Sequence, residues 1–156
     1  MKVRVLKIGK PADKAYATLV EKFEKRLTSF LKIENQVAKA FRGVEKSSKE
    51  LFYKLNLEDG RKDPSQYLVC LDERGSQLSS PNFAKIIEKQ MVASHIKRLD
   101  FVIGGPYGLP TELIKLADFH WSLSDAVFPS DLAWLMVWEQ LYRASTIIRG
   151  MPYHHD

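Results

Sequence analysis

Cysteine is almost absent from this chain: Cys70 is its single thiol. One thiol closes no internal disulfide, and one ligand makes no metal site. Cys70 lies inside the apolar stretch Tyr67-Leu68-Val69-Cys70-Leu71, where a free cysteine behaves as a small hydrophobe. Histidine is scarce too. His95 and His120 stand outside any cluster of ligand-type residues and read as structural or surface positions. No apolar run approaches the roughly 20 residues that span a bilayer. The start, MKVRVLKIGK, alternates basic and apolar residues where a signal peptide would build an apolar core. These absences lead us to expect a soluble cytoplasmic protein with no membrane association and no metal. Two common nucleotide fingerprints are also missing. Gly104 and Gly105 are adjacent, which breaks GxGxxG, and no GK[ST] follows them.

What is present is ordinary globular material. Hydrophobic residues make up 45% of the 156 and charged residues 28%, enough apolar content for one packed domain over residues 1–156 and too much for disorder. The formal net charge is +5, and many cations come early: Lys2, Arg4, Lys7, Lys10, Lys14, Lys22, Lys25, Arg26 and Lys32. A basic balance favours polyanionic partners through long-range attraction and counterion release. Charge alone does not separate that reading from a merely solvated surface.

Strand and helix patterns alternate along the chain. Lys2 to Ile8 sets Val3, Val5, Leu6 and Ile8 among cations and stops at Gly9 and Pro11, as a strand does. Ala15, Leu19, Phe23 and Leu27 recur every four residues, predicting an amphipathic helix from Asp13 to about Thr28. Leu31 to Ala38 suits a second strand. Ser47 and Glu50 have capping-box spacing for a helix to about Asn56, and a polar loop follows to Ser65. Gln66 to Leu71 is the third strand, and Ser80-Pro81 opens a helix to about Ala93. Leu99 to Ile103 is the fourth strand, Pro110 to Lys115 a short helix, Phe119 to Leu123 the fifth strand, and Asp131 to Arg149 the last helix. This order predicts an α/β domain, a mostly parallel sheet with helices on both faces. Ligands of such sheets bind beyond the carboxyl ends of the strands, which directs attention to the loops after Leu71, Ile103 and Leu123.

Several segments there could carry chemistry. The glycines of Ile103-Gly104-Gly105-Pro106-Tyr107-Gly108 either bring the backbone close to a ligand or make a tight turn with left-handed glycines. In Trp121-Ser122-Leu123-Ser124-Asp125-Ala126-Val127-Phe128-Pro129, backbone groups could meet an adenine edge while Val127 and Phe128 pack on its faces; alternatively Ser124 or Ser130 caps a helix. The last helix is apolar nearly all round, through Leu132, Trp134, Leu135, Met136, Val137, Trp138, Leu141 and Tyr142. Such a helix is buried on more than one side, either within the domain or against a second copy in a homodimer. At the end, Arg143, Arg149, Tyr153, His154 and His155 could hold phosphate, stack a base or assist proton transfer, or form a disordered polar terminus.

Taken in order, IGGPYGL, WSLSDAVFP, EQLYRA and PYHHD resemble the RlmH family of SPOUT methyltransferases, and the MKVRVLKIGK start and LDERG segment agree. The resemblance spans essentially the whole chain. It implies a SPOUT-type fold with a deep C-terminal trefoil knot, acting as a homodimer. The activity it implies is transfer of a methyl group from S-adenosylmethionine to ring nitrogen 3 of a pseudouridine in large-subunit (23S-type) ribosomal RNA, with rRNA or the ribosome as partner. It further implies a cofactor pocket made of Leu71, Gly104, Gly105, Leu123, Ser124, Asp125, Ala126, Val127 and Phe128. Arg143 and the Tyr153-His154 tail become the catalytic, RNA-facing group, in which Arg143 orients a phosphate or the base and His154 accepts or shields the ring proton. Neither metal nor covalent nucleophile is required.

Four places depart from the family pattern. Ser130 stands where His is common, Trp134 where Arg is common, and Tyr107 where a small or polar residue is common. The segment Phe41-Arg42-Gly43-Val44-Glu45-Lys46 is less basic than expected. These departures keep two alternatives in view: a relative that binds cofactor and RNA without transferring methyl groups, and an unrelated nucleotide-binding protein whose glycine turn holds phosphate.

Overall fold

The computed structural model describes residues 1–40, 44–57 and 60–154, the side chains of 44–47 excepted. Its elements run β1 (Lys2–Ile8), α1 (Lys14–Leu27), β2 (Lys32–Ala38), α2 (Val44–Leu55), β3 (Gln66–Gln77), α3 (Ser80–Val92), β4 (Arg98–Ile103), α4 (Thr111–Leu116), β5 (Phe119–Ser122) and α5 (Ser130–Ile148). The five strands form one parallel sheet in the order β2-β1-β4-β3-β5, so the predicted α/β class is correct.

Helices cover both faces, as parallel sheets require. On one face α5 packs between α1 and α3, over Val3, Val5, Val69, Leu99, Phe101 and Ile103. On the other, Leu51 and Leu55 of α2 and Leu113 of α4 cover Leu6, Leu68, Cys70 and Val102. Phe83, Phe101 and Trp121 form the aromatic centre of the first layer, with the Phe83 and Trp121 rings stacked 4.2 Å apart.

Several local expectations shift. The buried stripe of α1 is Tyr16, Val20, Phe23 and Leu27, whereas Ala15 and Leu19 point outward. Helix α2 begins at Val44, so Ser47 lies within it and does not cap it. Ser79, not Ser80, caps α3, accepting the Asn82 amide at 3.3 Å. Strand β3 continues past Leu71 to Gln77: its pairing with β5 jumps from Leu71 to Ser76, and both face Trp121. Gly75 lies at that jump. A Cβ there would stand 2.5 Å from the His120 carbonyl oxygen, so only glycine lets the two backbones approach.

The early cations divide. Arg4 and Lys7 are buried and do not serve a solvated basic face. Arg4 makes a bidentate pair with Asp100, Nε–Oδ1 2.9 Å and Nη2–Oδ2 3.0 Å, and also donates to the Lys54 carbonyl. Arg98 Nε reaches the same carboxylate at 2.9 Å, and its Nη2 donates to the Leu55 carbonyl at 3.0 Å. This network ties the last carbonyls of α2 to the amino-terminal edge of the sheet, where a helix C-terminus favours cations.

Candidate cofactor and RNA site

The carboxyl ends of β1, β4, β3 and β5 lie side by side, so the loops that leave them share one edge of the molecule. After β4 the chain turns tightly: the Gly108 amide donates to the Gly105 carbonyl at 3.0 Å. Of the three glycines only Gly108 has a positive φ, 72°. Gly104 is needed for a different reason, because a Cβ there would lie 2.9 Å from the Gly108 carbonyl carbon. Gly105 packs on Ile8 of β1, with its notional Cβ 3.2 Å from Ile8 Cγ2. The turn thus presents bare backbone, flanked by Tyr107, which is 74% exposed.

The loop after β5 is held from within. Ser122 Oγ donates to the Ser124 carbonyl at 3.0 Å, Ser124 Oγ accepts the Ala126 amide at 3.0 Å, and Gln77 Nε2 donates to Asp125 Oδ1 at 2.6 Å. Ser124 therefore shapes the loop and does not cap α5, whose first turn follows Pro129 without a side-chain cap. Val127 is 81% exposed, Phe128 and Leu123 half-buried. Backbone, apolar faces and one carboxylate lie on one edge, a donor set that suits a nucleoside with a cationic sulfur.

A buried ion pair fastens this edge, and sequence reading missed it. Lys7, 1% exposed, places Nζ 2.8 Å from Asp131 Oδ1 and 2.8 Å from the Gly9 carbonyl. Asp131 Oδ2 accepts the Ala12 amide at 2.8 Å. Burial raises the Asp131 pKa, but the Lys7 hydrogen bond, the Ala12 amide and the Lys7 charge together hold it below the ordinary value. The pair pins the start of α5 to the loop after β1. No local pattern marks it, because its members are far apart in sequence.

The tail is folded back on α5. Arg143 donates to Glu139 Oε1 through Nη2 at 2.6 Å and Nε at 3.0 Å, and Tyr153 Oη donates to the same oxygen at 3.2 Å. Arg143 stacks on the Tyr153 ring, 4.8 Å from its centroid. His154 Nδ1 lies 3.2 Å from Arg143 Nη1. A guanidinium only donates, so Nδ1 accepts and the proton of a neutral ring sits on Nε2. Burial and then the Glu139 carboxylate raise the Tyr153 pKa, keeping the phenol protonated. Glu139 organises this group; the sequence reading included it in EQLYRA but gave it no role, although its i, i+4 spacing to Arg143 was the signal. His155 and Asp156 lie outside the described residues, as do Phe41, Arg42 and Gly43.

None of these contacts of the tail group reaches the glycine turn or the loop after β5. Arg143 lies about 18 Å along α5 from Asp131, at 1.5 Å per residue. Other candidates resolve simply. Cys70 is buried, its thiol pushed up to about 12 by burial and the Asp72 charge, so it is inert as a nucleophile. His95 and His120 are exposed, and His120 Nε2 sits 2.9 Å from the Ile114 carbonyl. Trp134 is core, 3% exposed, and cannot stack on RNA. Among the described residues no cluster of metal-ligating side chains forms, and no helix is long and apolar enough to cross a membrane.

The family model described as "Predicted SPOUT methyltransferase" matches residues 1–154. The chain belongs to the SPOUT methyltransferase family. Within it, the chain is 36% identical over 158 residues to the ribosomal RNA large subunit methyltransferase H of Christiangramia forsetii, covering 99% of each. To the protein of that name from Flavobacterium johnsoniae it is 36% identical over 165 residues, covering all of both. These full-length matches agree with the motif resemblance to the RlmH group of SPOUT methyltransferases. The SpoU methyltransferase AviRb of Streptomyces viridochromogenes, solved with the cofactor AdoMet, is 13% identical with a TM-score of 0.46; the alignment covers 96% of this chain and 61% of that one.

Proposed function

We propose that this SPOUT methyltransferase transfers the methyl group of S-adenosylmethionine to ring nitrogen 3 of a pseudouridine in large-subunit ribosomal RNA, working as a cytoplasmic homodimer of one-domain chains. The observation that carries this reading is the pairing of a bare-backbone, carboxyl-edge loop cluster with a preorganised Arg143–Glu139–Tyr153–His154 group, in a chain matched end to end by methyltransferases H. The trefoil knot belongs to the same proposal.

Gly104 and Gly105 would let the backbone approach the cofactor, with Leu71, Leu123, Val127 and Phe128 supplying apolar contacts. Ser124, Asp125 and Ala126 shape the loop on the same edge. Bound there, the sulfonium supplies an already activated methyl group, so the chain's own task is alignment. Arg143 orients the target nucleotide. His154, with Nδ1 engaged by Arg143, offers its Nε2 proton to a carbonyl of the base, and the proton on ring nitrogen 3 leaves to solvent water as the nitrogen takes the methyl group. Tyr153 holds the tail against Glu139. The roughly 18 Å along α5 between its first turn and Arg143 favours a composite site in which one copy's tail meets its partner's loops.

The test is radiolabelled methyl incorporation into large subunits that lack the modification, alongside cofactor binding by calorimetry. Native protein is expected to bind one cofactor per site and to label the RNA. Arg143→Ala should lower incorporation by on the order of 10²-fold or more while leaving cofactor affinity unchanged. Cofactor binding by native protein without incorporation would instead support the reading as a non-catalytic RNA binder.

A further inference from the structure

Two arginines beside the tail have no role in the site described above. Arg26, on the last turn of α1, places its guanidinium carbon 5.6 Å from the Tyr142 centroid and 5.8 Å from that of Phe23. Arg149, just past α5, stacks 4.7 Å over Phe30 and donates from Nη2 to the Phe30 carbonyl at 3.3 Å. The rings are continuous: Tyr142 lies 6.0 Å from Phe23, 6.0 Å from Phe30 and 4.8 Å from Tyr153. Both arginines are exposed, and the Arg26 charge is felt at the Tyr153 hydroxyl.

Their electrostatic state sets them apart. Arg4, Arg74, Arg98 and Arg143 each face a carboxylate. Among the described residues Arg26 and Arg149 form no ion pair. A guanidinium held over an aromatic ring leaves N–H groups at its edge for the fork geometry that suits phosphate, and Arg149 commits only Nη2 to the Phe30 carbonyl. Holding it on an aromatic shelf also removes part of the side-chain entropy that binding would otherwise cost. Two such groups, without carboxylate partners and converging on one patch, are wasteful as pure packing and well suited to a polyanion.

We propose that Arg26 and Arg149, seated on the Phe23–Tyr142–Phe30 shelf, hold backbone phosphates of the RNA segment that carries the target nucleotide. This rests on the reading in which the Tyr153-His154 tail faces RNA, and it adds an anchoring surface outside the reacting group. Contacts to phosphate position a nucleic acid without reading its sequence. Their loss should therefore weaken binding uniformly across sequences and reduce its salt dependence.

The experiment measures binding of the full chain to a pseudouridine-containing single-stranded oligoribonucleotide between 50 and 200 mM salt, a range over which about 10³–10⁵ in affinity is at stake when many phosphates are contacted. Arg26→Gln and Arg149→Gln should each lower the slope of log K against log salt by about 0.7, and the double variant by about twice that. Arg26→Lys/Arg149→Lys, which keeps both charges, should retain most of the slope. Lys85→Gln, an exposed cation on α3, should leave it unchanged. With large subunits that lack the modification as substrate, the Gln variants should raise KM and spare kcat, and cofactor affinity and sedimentation should match native protein. Slopes equal to native in the double variant, loss of the dimer in its place, or no measurable RNA binding by native protein would each overturn the assignment. The two readings separate cleanly. RNA binding with the predicted slopes but no methyl transfer keeps the anchor and sinks the catalytic proposal, whereas methyl transfer with unchanged slopes does the reverse.

Discussion

Lys7 and Asp131 illustrate how far a residue's environment can depart from its type. A lysine in a strand that alternates cations with valines reads as a solvent-facing position, yet its ammonium is buried against a carboxylate on α5. Removing one partner of such a pair leaves an uncompensated buried charge, whereas removing both can be nearly neutral. Lys7→Met is therefore expected to destabilise by about 3–5 kcal/mol, and Lys7→Met/Asp131→Leu to recover most of the loss, as read by urea denaturation. The pH dependence has a definite sign. The Asp131 pKa is lower folded than unfolded, so its contribution is present above the ordinary carboxylate value and lost as pH falls through the lowered one. The double variant should accordingly lose less stability than native protein between neutral pH and pH 3.

Among the elements, β3 is where sequence and structure part most clearly. Asp72-Glu73-Arg74-Gly75 is polar and reads as a loop, so the strand was expected to stop at Leu71. The extension to Gln77 exists because β5 supplies a second set of partners beyond the jump in register. Gly75→Ala should break this pairing, because the obstacle is the His120 backbone and not a movable side chain. We expect a loss of about 1–3 kcal/mol, seen as a lower thermal midpoint and faster hydrogen exchange at Trp121 and Ser122. The start of α3 shifts by one residue because neighbouring serines offer equivalent caps and the backbone places Ser79, not Ser80, at the extended position before the helix.

For the whole molecule, the open question is whether the tail on α5 serves the loops of its own chain or those of a partner copy. If partner copies complete each other's sites, a chain damaged in its loop and a chain damaged in its tail should complement. Val127→Glu alters an exposed loop residue, and Arg143→Ala alters the tail. Each alone should be inactive in methyl incorporation. After mixing and subunit exchange, roughly a quarter of native activity should return, because half the dimers are mixed and each holds one intact site. No recovery, with exchange verified by sedimentation of tagged chains, would place the site within a single chain.

Much of this protein was determined by sequence alone. Alternating strands and helices, each with local periodicity and turn residues, specified a parallel α/β sheet, and ordered motifs indicated a SPOUT methyltransferase with its glycine turn and its Ser122-to-Phe128 loop. Those signals are legible because hydrogen bonding and hydrophobic period act between near neighbours. What only the tertiary structure decided were the pairings between distant residues. These are Arg4 with Asp100, Lys7 with Asp131, Ser76 with Trp121, and Arg26 with Tyr142. In each case the partner's proximity follows from strand order and helix packing, so no local pattern carries it. The buried cations are the clearest instance: sequence fixes their charge, but only the fold decides whether water or a carboxylate receives it.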